Sequence, residues 1–110
     1  MAATASPTPA EAQVLLALLD GDAHGYVIMQ RIAEQSDGRT KLGPGTLYTA
    51  IARLTERGWL QESSSSTDAD DARRRYYRLT GAGRAVLQEE IRNWSRLASI
   101  GRRRLSAKGG

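Results

Sequence analysis

The stretch that most constrains the fold runs from Lys41 to Trp59, KLGPGTLYTAIARLTERGW. Pro44 suits the first turn of a helix, where the N–H it lacks would have no partner anyway. Leu47, Ile51 and Leu54 follow at i, i+4 and i+7, one face of a helix with 3.6 residues per turn. Gly58 stands where helices commonly end in a left-handed cap. The opposite face carries Gly45, Thr46, Thr49, Ala52 and Arg53, with Tyr48 on its flank. Three hidden aliphatics beneath small, hydroxylated and basic residues fit a helix that enters a DNA groove. They fit an ordinary solvated helix equally well, so the surrounding chain must decide.

Length and charge narrow the choice. A chain of 110 residues is one domain with one hydrophobic core, built from Leu, Ile, Val and Ala because aromatics are only 5% and phenylalanine is absent. The lack of cysteine excludes a disulfide framework and zinc–thiolate chemistry and suits a reducing compartment. No apolar run approaches the ~20 residues that span a bilayer, and residues 1–7 lack the basic start and apolar core of a signal peptide. The expected location is cytoplasmic, with residues 1–7 a disordered arm. The net charge of +4 is unevenly spread: residues 1–38 carry −4 and residues 39–110 carry +8. One basic side is the footprint of a polyanion binder, although basic surfaces also serve solubility.

Around the central stretch the elements follow in order. Thr8-Pro9-Ala10-Glu11 offers a cap, a first-turn proline and a capping-box glutamate for a first helix. Its run from Val14 to Leu19 is apolar around most of its circumference and should be deeply buried, with Asp20-Gly21-Asp22 as the stop. A second helix should run from about Gly25 to Gln35, with Ile28 and Ile32 inward and Arg31, Glu34 and Gln35 towards water. Asp37-Gly38 ends it, and a short turn leads into the third helix, a helix-turn-helix arrangement. After Gly58 the period changes. Residues 59–62 and 75–79 read as two strands, the second with Tyr76 and Tyr77, joined by a long polar tip. Thr80 can cap a last helix from about Ala82 to Leu105, with one stripe of Leu87, Ile91, Trp94, Ala98, Gly101 and Leu105 and a second of Val86, Leu97 and Ile100. Such a helix is ~36 Å long, more than this domain can cover, so one stripe packs at home and the other meets a second copy. The expected fold is mainly α (α+β): a winged helix-turn-helix over residues 8–80, a C-terminal dimerisation helix over 81–105, and a disordered tail over 106–110.

The residues also resemble the PadR-like transcriptional regulators. The matching pieces are His24-Gly25-Tyr26, Gly45-Thr46-Leu47-Tyr48, Arg53-Leu54, Gly58-Trp59-Leu60, Arg74-Arg75-Tyr76-Tyr77-Arg78-Leu79-Thr80 and Gly83-Arg84, in order over residues 12–100. The chain departs from the family pattern at Gly43, where serine or asparagine is usual, and at Thr49, often proline. Gly81-Ala82 stands where Pro-Glu is usual. These changes loosen helix starts by ~0.5–1 kcal/mol each and remove no chemistry. A single C-terminal helix resembles the small branch of the family. The resemblance implies a dimeric repressor that reads a palindromic operator in double-stranded DNA and, in many members, releases it on binding a small molecule.

The candidate DNA contacts are Tyr26, Lys41, Gly45, Thr46, Tyr48, Thr49, Arg53, Arg73, Arg74 and Arg75. Gly45 and Thr46 permit close approach at the N-terminal end of the recognition helix, and Thr49 can meet a base edge or a thymine methyl. Arg53 suits a phosphate or a guanine. Tyr26 and Tyr48 either donate to phosphates, as the resemblance implies, or fill the gap between the second and third helices. Arginines 73–75 would lie along the flanking backbone or minor groove. The acids Asp68, Asp70 and Asp71 beside them lack the alternating ligands, central glycine and terminal glutamate of a calcium loop and read as a solvated tip. For the dimer the candidates are Leu87, Ile91, Trp94, Leu97 and Ala98.

Trp94 either packs in that interface or, as in some relatives it resembles, stacks on a small planar aromatic effector. Gln13 and Ala17, one turn apart on the less apolar face of the first helix, would border such a cavity. His24, the only histidine, caps or packs at the start of the second helix. Without cysteine or a clustered carboxylate pair, catalysis has no candidate constellation, and no cofactor or metal is expected. Two other readings share the basic face: a winged-helix interaction module for an acidic protein, and a ligand-binding dimer whose DNA role is secondary.

Overall fold

A computed structural model describes residues 6–63 and 75–107. Residues 1–5 of the expected arm, residues 64–74 at the hairpin tip (with Arg73, Arg74 and the three aspartates) and residues 108–110 lie outside the described residues.

The first helix, α1 (Pro9–Ala17), begins on the capping box read from its sequence. The Thr8 hydroxyl accepts the Glu11 N–H at 3.1 Å while Glu11 Oε1 accepts the Thr8 N–H at 2.9 Å. Pro7, assigned to the disordered arm, is buried instead. Val14, Leu15, Ala17 and Leu18 are in the core, but the chain tightens to a 3-10 turn over Leu18–Asp20 and leaves Leu19 exposed. Arg31 is the second departure. Rather than facing water, its guanidinium donates to the carbonyls of Ala17 and Gly21, at 3.1 and 2.9 Å. A helix end needs partners for its last carbonyls, and Arg31 supplies them from the neighbouring helix.

Helix α2 (Gly25–Gln35) buries Ile28 and Ile32 fully. It ends with Asp37 in the left-handed region at φ 55°, its N–H reaching Glu34 O while the Gly38 N–H reaches Ala33 O. Helix α3 (Pro44–Glu56) buries Leu47, Ala50, Ile51 and Leu54. Gly58 at φ 79° closes it, with N–H bonds from Gly58 to Thr55 O and from Trp59 to Leu54 O. Both ends have the paired-bond geometry of a Schellman cap.

Three strands follow where two were expected. Beside β2 (Leu60–Ser63) and β3 (Tyr76–Leu79) lies β1 (Ala23–His24), in an antiparallel sheet of order β1-β3-β2. Ala23 pairs with Tyr77 and His24 with Tyr76, while Leu60 pairs with Leu79. Two residues are too few to show a period in sequence; only their partner makes them a strand. His24 caps α2 through its extended backbone, not its side chain, and its ring meets Tyr76 edge-on at 5.3 Å. Trp59 precedes β2 and is buried, with Arg57 stacked over its ring at 5.1 Å.

The last helix, α4 (Gly81–Ala107), is capped by Thr80, whose hydroxyl accepts the Gly83 N–H and donates to Gly58 O at 2.6 Å. Gly83 is pressed so close to Trp59 that an added Cβ would collide with the Trp59 carbonyl oxygen. Leu87 joins the core, and beyond Trp94, which still lies beside α1, the helix leaves the body of the domain.

Candidate nucleic-acid interface

The outer face of α3 is set by the burial of its inner one. With Leu47, Ile51 and Leu54 sealed against α1 and α2, the helix turns Gly45, Thr46, Tyr48, Thr49, Ala52 and Arg53 to solvent. Among the described residues Arg53 has no carboxylate partner, so its charge is available to an anion. Lys41, in the turn before α3, is exposed as well.

Tyr48 sits between the two roles open to it. Its hydroxyl packs so closely on Gly25, the first residue of α2, that an added Cβ there would overlap it, yet 47% of the residue is exposed. The ring therefore spaces α2 from α3 and keeps one face free. Tyr26, one position further along α2, is 62% exposed. Tyr48 and Tyr26 thus flank the contact between α2 and α3 at Gly25.

The base of the wing is laced by charge pairs that periodicity does not reveal. Arg75 meets Glu62 across the hairpin at 3.3 Å, and Arg78 meets Asp22 at 3.4 Å, with the Ser63 hydroxyl on Asp22 at 2.5 Å. The Arg75–Glu62 pair is open to water and worth well under 1 kcal/mol, so Arg75 can exchange Glu62 for a phosphate at little cost. Tyr77, on the middle strand, has its pKa raised above 10.0, chiefly because burial disfavours the phenolate and further by Tyr48 and Glu62 nearby.

Between the first turn of α1 and α3 runs a groove of about 490 Å³ lined by Thr8, Ala10, Gly45, Thr46, Thr49 and Arg53, with Glu11 at its floor. Glu11 is 2% exposed and was not among the residues singled out from sequence beyond its capping role. One of its oxygens also receives Arg57 at 3.2 Å, tying the start of α1 to the end of α3.

A second cavity, about 360 Å³, lies between α1, the end of α2 and α4. Trp94 and Gln13 line it together with Pro7, Ala12, Leu16 and Glu90, and Gln35 ties back to the Gln13 carbonyl at 2.9 Å. Ala17 does not reach it. One turn beyond Gln13, it is sealed into the hydrophobic core at 1% exposure.

Of the residues assigned to the dimer, Ile91, Trp94, Leu97 and Ala98 are exposed along α4, whereas Leu87 is spent on the subunit's own core. No helix among the described residues is long and apolar enough to cross a membrane.

The chain is similar in sequence and fold to known proteins. Residues 14–89 match the pattern of the transcriptional regulator PadR-like family. A transcriptional regulator of Mycobacterium tuberculosis is 37% identical over 79 residues, covering 72% of this chain and 69% of that protein. The crystal structure of a PadR family transcription regulator from Clostridium difficile superposes with a TM-score of 0.71 at 25% identity, over 89% of this chain and 99% of that one. BpsR of Bordetella bronchiseptica, whose DNA binding is regulated by 6-hydroxynicotinic acid, superposes with a TM-score of 0.65 at 26% identity, over 84% of this chain and 63% of that one. With the family pattern covering the helix-turn-helix, the wing and the root of α4, the chain belongs to the PadR-like family of DNA-binding transcriptional regulators.

Proposed function

We propose that the protein is a homodimeric repressor that binds a palindromic operator and is released by a small planar aromatic ligand. The observation that carries the reading is the apolar row Ile91, Trp94 and Leu97, left exposed on the helix that roots the DNA-binding head. A contiguous apolar row of this kind marks a docking surface, and a two-fold pairing of identical helices is the simplest way to cover it. Pairing brings in a second α3, and two recognition helices would enter successive major grooves ~34 Å apart.

In this reading Thr46 and Thr49 address bases, while Tyr26, Lys41, Tyr48, Arg53 and the wing arginines hold the backbone. The cavity beside Trp94 is the ligand site, with the indole and Leu16 as apolar walls and Gln13 and Glu90 as polar ones. The Bordetella neighbour, regulated by 6-hydroxynicotinic acid, supports a planar aromatic ligand, and the Glu90 carboxylate favours one that turns a hydroxyl rather than an anion towards it. A ligand seated against α4 favours one separation of the two heads and shifts the population away from the DNA-competent one.

The decisive experiment selects the preferred duplex from a random pool and measures its stoichiometry. A palindrome bound by two chains, with affinity falling log-linearly in salt, is expected. Binding by a monomer, or no duplex bound better than micromolar at low salt, overturns the reading. Fluorescence in a Trp59→Phe background isolates Trp94 and reports ligand binding. No quenching across a broad panel of planar aromatic compounds would remove the effector from the proposal.

A further inference from the structure

We infer that the first turn of α1 is part of the DNA interface, forming with α3 a groove that seats one phosphodiester of the duplex backbone against Arg53. This rests on the DNA-facing role of α3 proposed above and adds a wall that the helix-turn-helix and wing do not provide. Three observations carry it. The groove exists, about 490 Å³ in volume, with Thr8 and Ala10 on one bank and Thr46, Thr49 and Arg53 on the other.

Its charge balance suits an anion. Glu11 is the carboxylate in the groove, and it is buried, bonded to the Thr8 N–H and paired with Arg57, which leaves Arg53 as the uncompensated charge among exposed threonine hydroxyls. Position along α3 selects the backbone over the bases. Arg53 lies eight residues beyond Gly45, ~12 Å along the helix axis at 1.5 Å per residue. That distance exceeds the ~8.5 Å depth of the major groove. When the start of α3 reaches the base edges, Arg53 stands at the phosphate rim, and the first turn of α1 faces it from across the groove.

Ala10 provides the test, because it lines the groove and takes no part in the capping box. At the second position of the helix a glutamate favours the helix electrostatically and a lysine disfavours it. Effects on stability and on DNA binding therefore run in opposite directions. Ala10→Glu is expected to keep or raise the melting temperature yet lose about tenfold in affinity for the selected duplex at low salt. Ala10→Lys is expected to melt slightly lower yet bind several-fold tighter, with the slope of log affinity against log salt steeper by about one.

Arg53→Ala serves as the reference. If it weakens binding while both Ala10 variants bind within twofold of the parent, the first turn of α1 does not touch DNA and the inference is overturned alone. If Arg53→Ala is also silent, the role of α3 falls with it. Opposite shifts of the two Ala10 variants, against the direction of their melting temperatures, establish the site.

Discussion

Helices α3 and α4 carry nearly the same sequence signal and meet opposite fates. Each places aliphatics at helical spacing, α3 along one face and α4 along two neighbouring stripes. In α3, Leu47, Ile51 and Leu54 are all at most 3% exposed, whereas in α4 only Leu87 is buried, and Ile91, Trp94 and Leu97 stand 38–52% exposed. Helix α3 is enclosed by α1, α2 and β2, while α4 lies beside α1 as far as Trp94 and then extends ~20 Å into solvent. The difference is one of surroundings and not of residue type. An apolar row that the subunit cannot cover is a surface for something else, which is why the dimer reading rests on α4 and the fold on α3.

The sharpest way to break the comparison is to truncate both rows. Leu54→Ala should cost about 3 kcal/mol of folding stability, from lost burial and the cavity left behind, read as a lower urea midpoint. The double change Ile91→Ala with Leu97→Ala should leave the fold of the chain intact and instead dissociate the proposed dimer in analytical ultracentrifugation. If it lowers the urea midpoint of folding as Leu54→Ala does, the row is core and no partner is required.

The junction of the two regions is next in size. Gly83→Ala should cost about 2 kcal/mol, because its Cβ would meet the Trp59 carbonyl and push α4 off the sheet. Dimer-dependent DNA affinity should fall with it. A variant as stable as the parent would show that the root of α4 can give way.

Within the enclosed region, Asp37 holds φ 55° with a side chain where glycine is at ease. Asp37→Gly should raise stability by a few tenths of a kcal/mol or leave it level, and a clear loss would point to a role for the carboxylate.

The smallest effect is in pH. Folding raises the Tyr77 pKa, so the folded state binds that proton more tightly than the unfolded chain. The resulting stability is complete below pH 10 and declines as pH rises through the higher folded value. Tyr77→Phe should flatten that alkaline decline, checked by denaturation at pH 9 and 11. An unchanged slope would place the titration elsewhere.

The parts of the fold that were legible in sequence are those fixed by local chemistry. The capping box at Thr8 and Glu11, the span Gly25–Gln35, the glycine stop at Gly58 and the threonine cap of α4 each depend on residues within one or two turns, so a short window contains the whole cause. The outer face of α3 was legible for the same reason, since burying three leucine-type positions leaves only one face to show.

What only tertiary structure decided depends on groups distant in the chain. Residues 23 and 24 become a strand because β3 lies alongside to accept them, and two residues have no period of their own. Arg31 is drawn from water by carbonyls 14 and 10 residues away. Pro7 and Gln13 line a cavity because α4 lies beside the start of α1, whereas Ala17, one turn on, is sealed into the core. The sequence determined which helices form and which face of each is apolar. Which apolar faces the subunit could cover for itself was decided by packing, because cover depends on what lies opposite in space and not on what lies next in the chain.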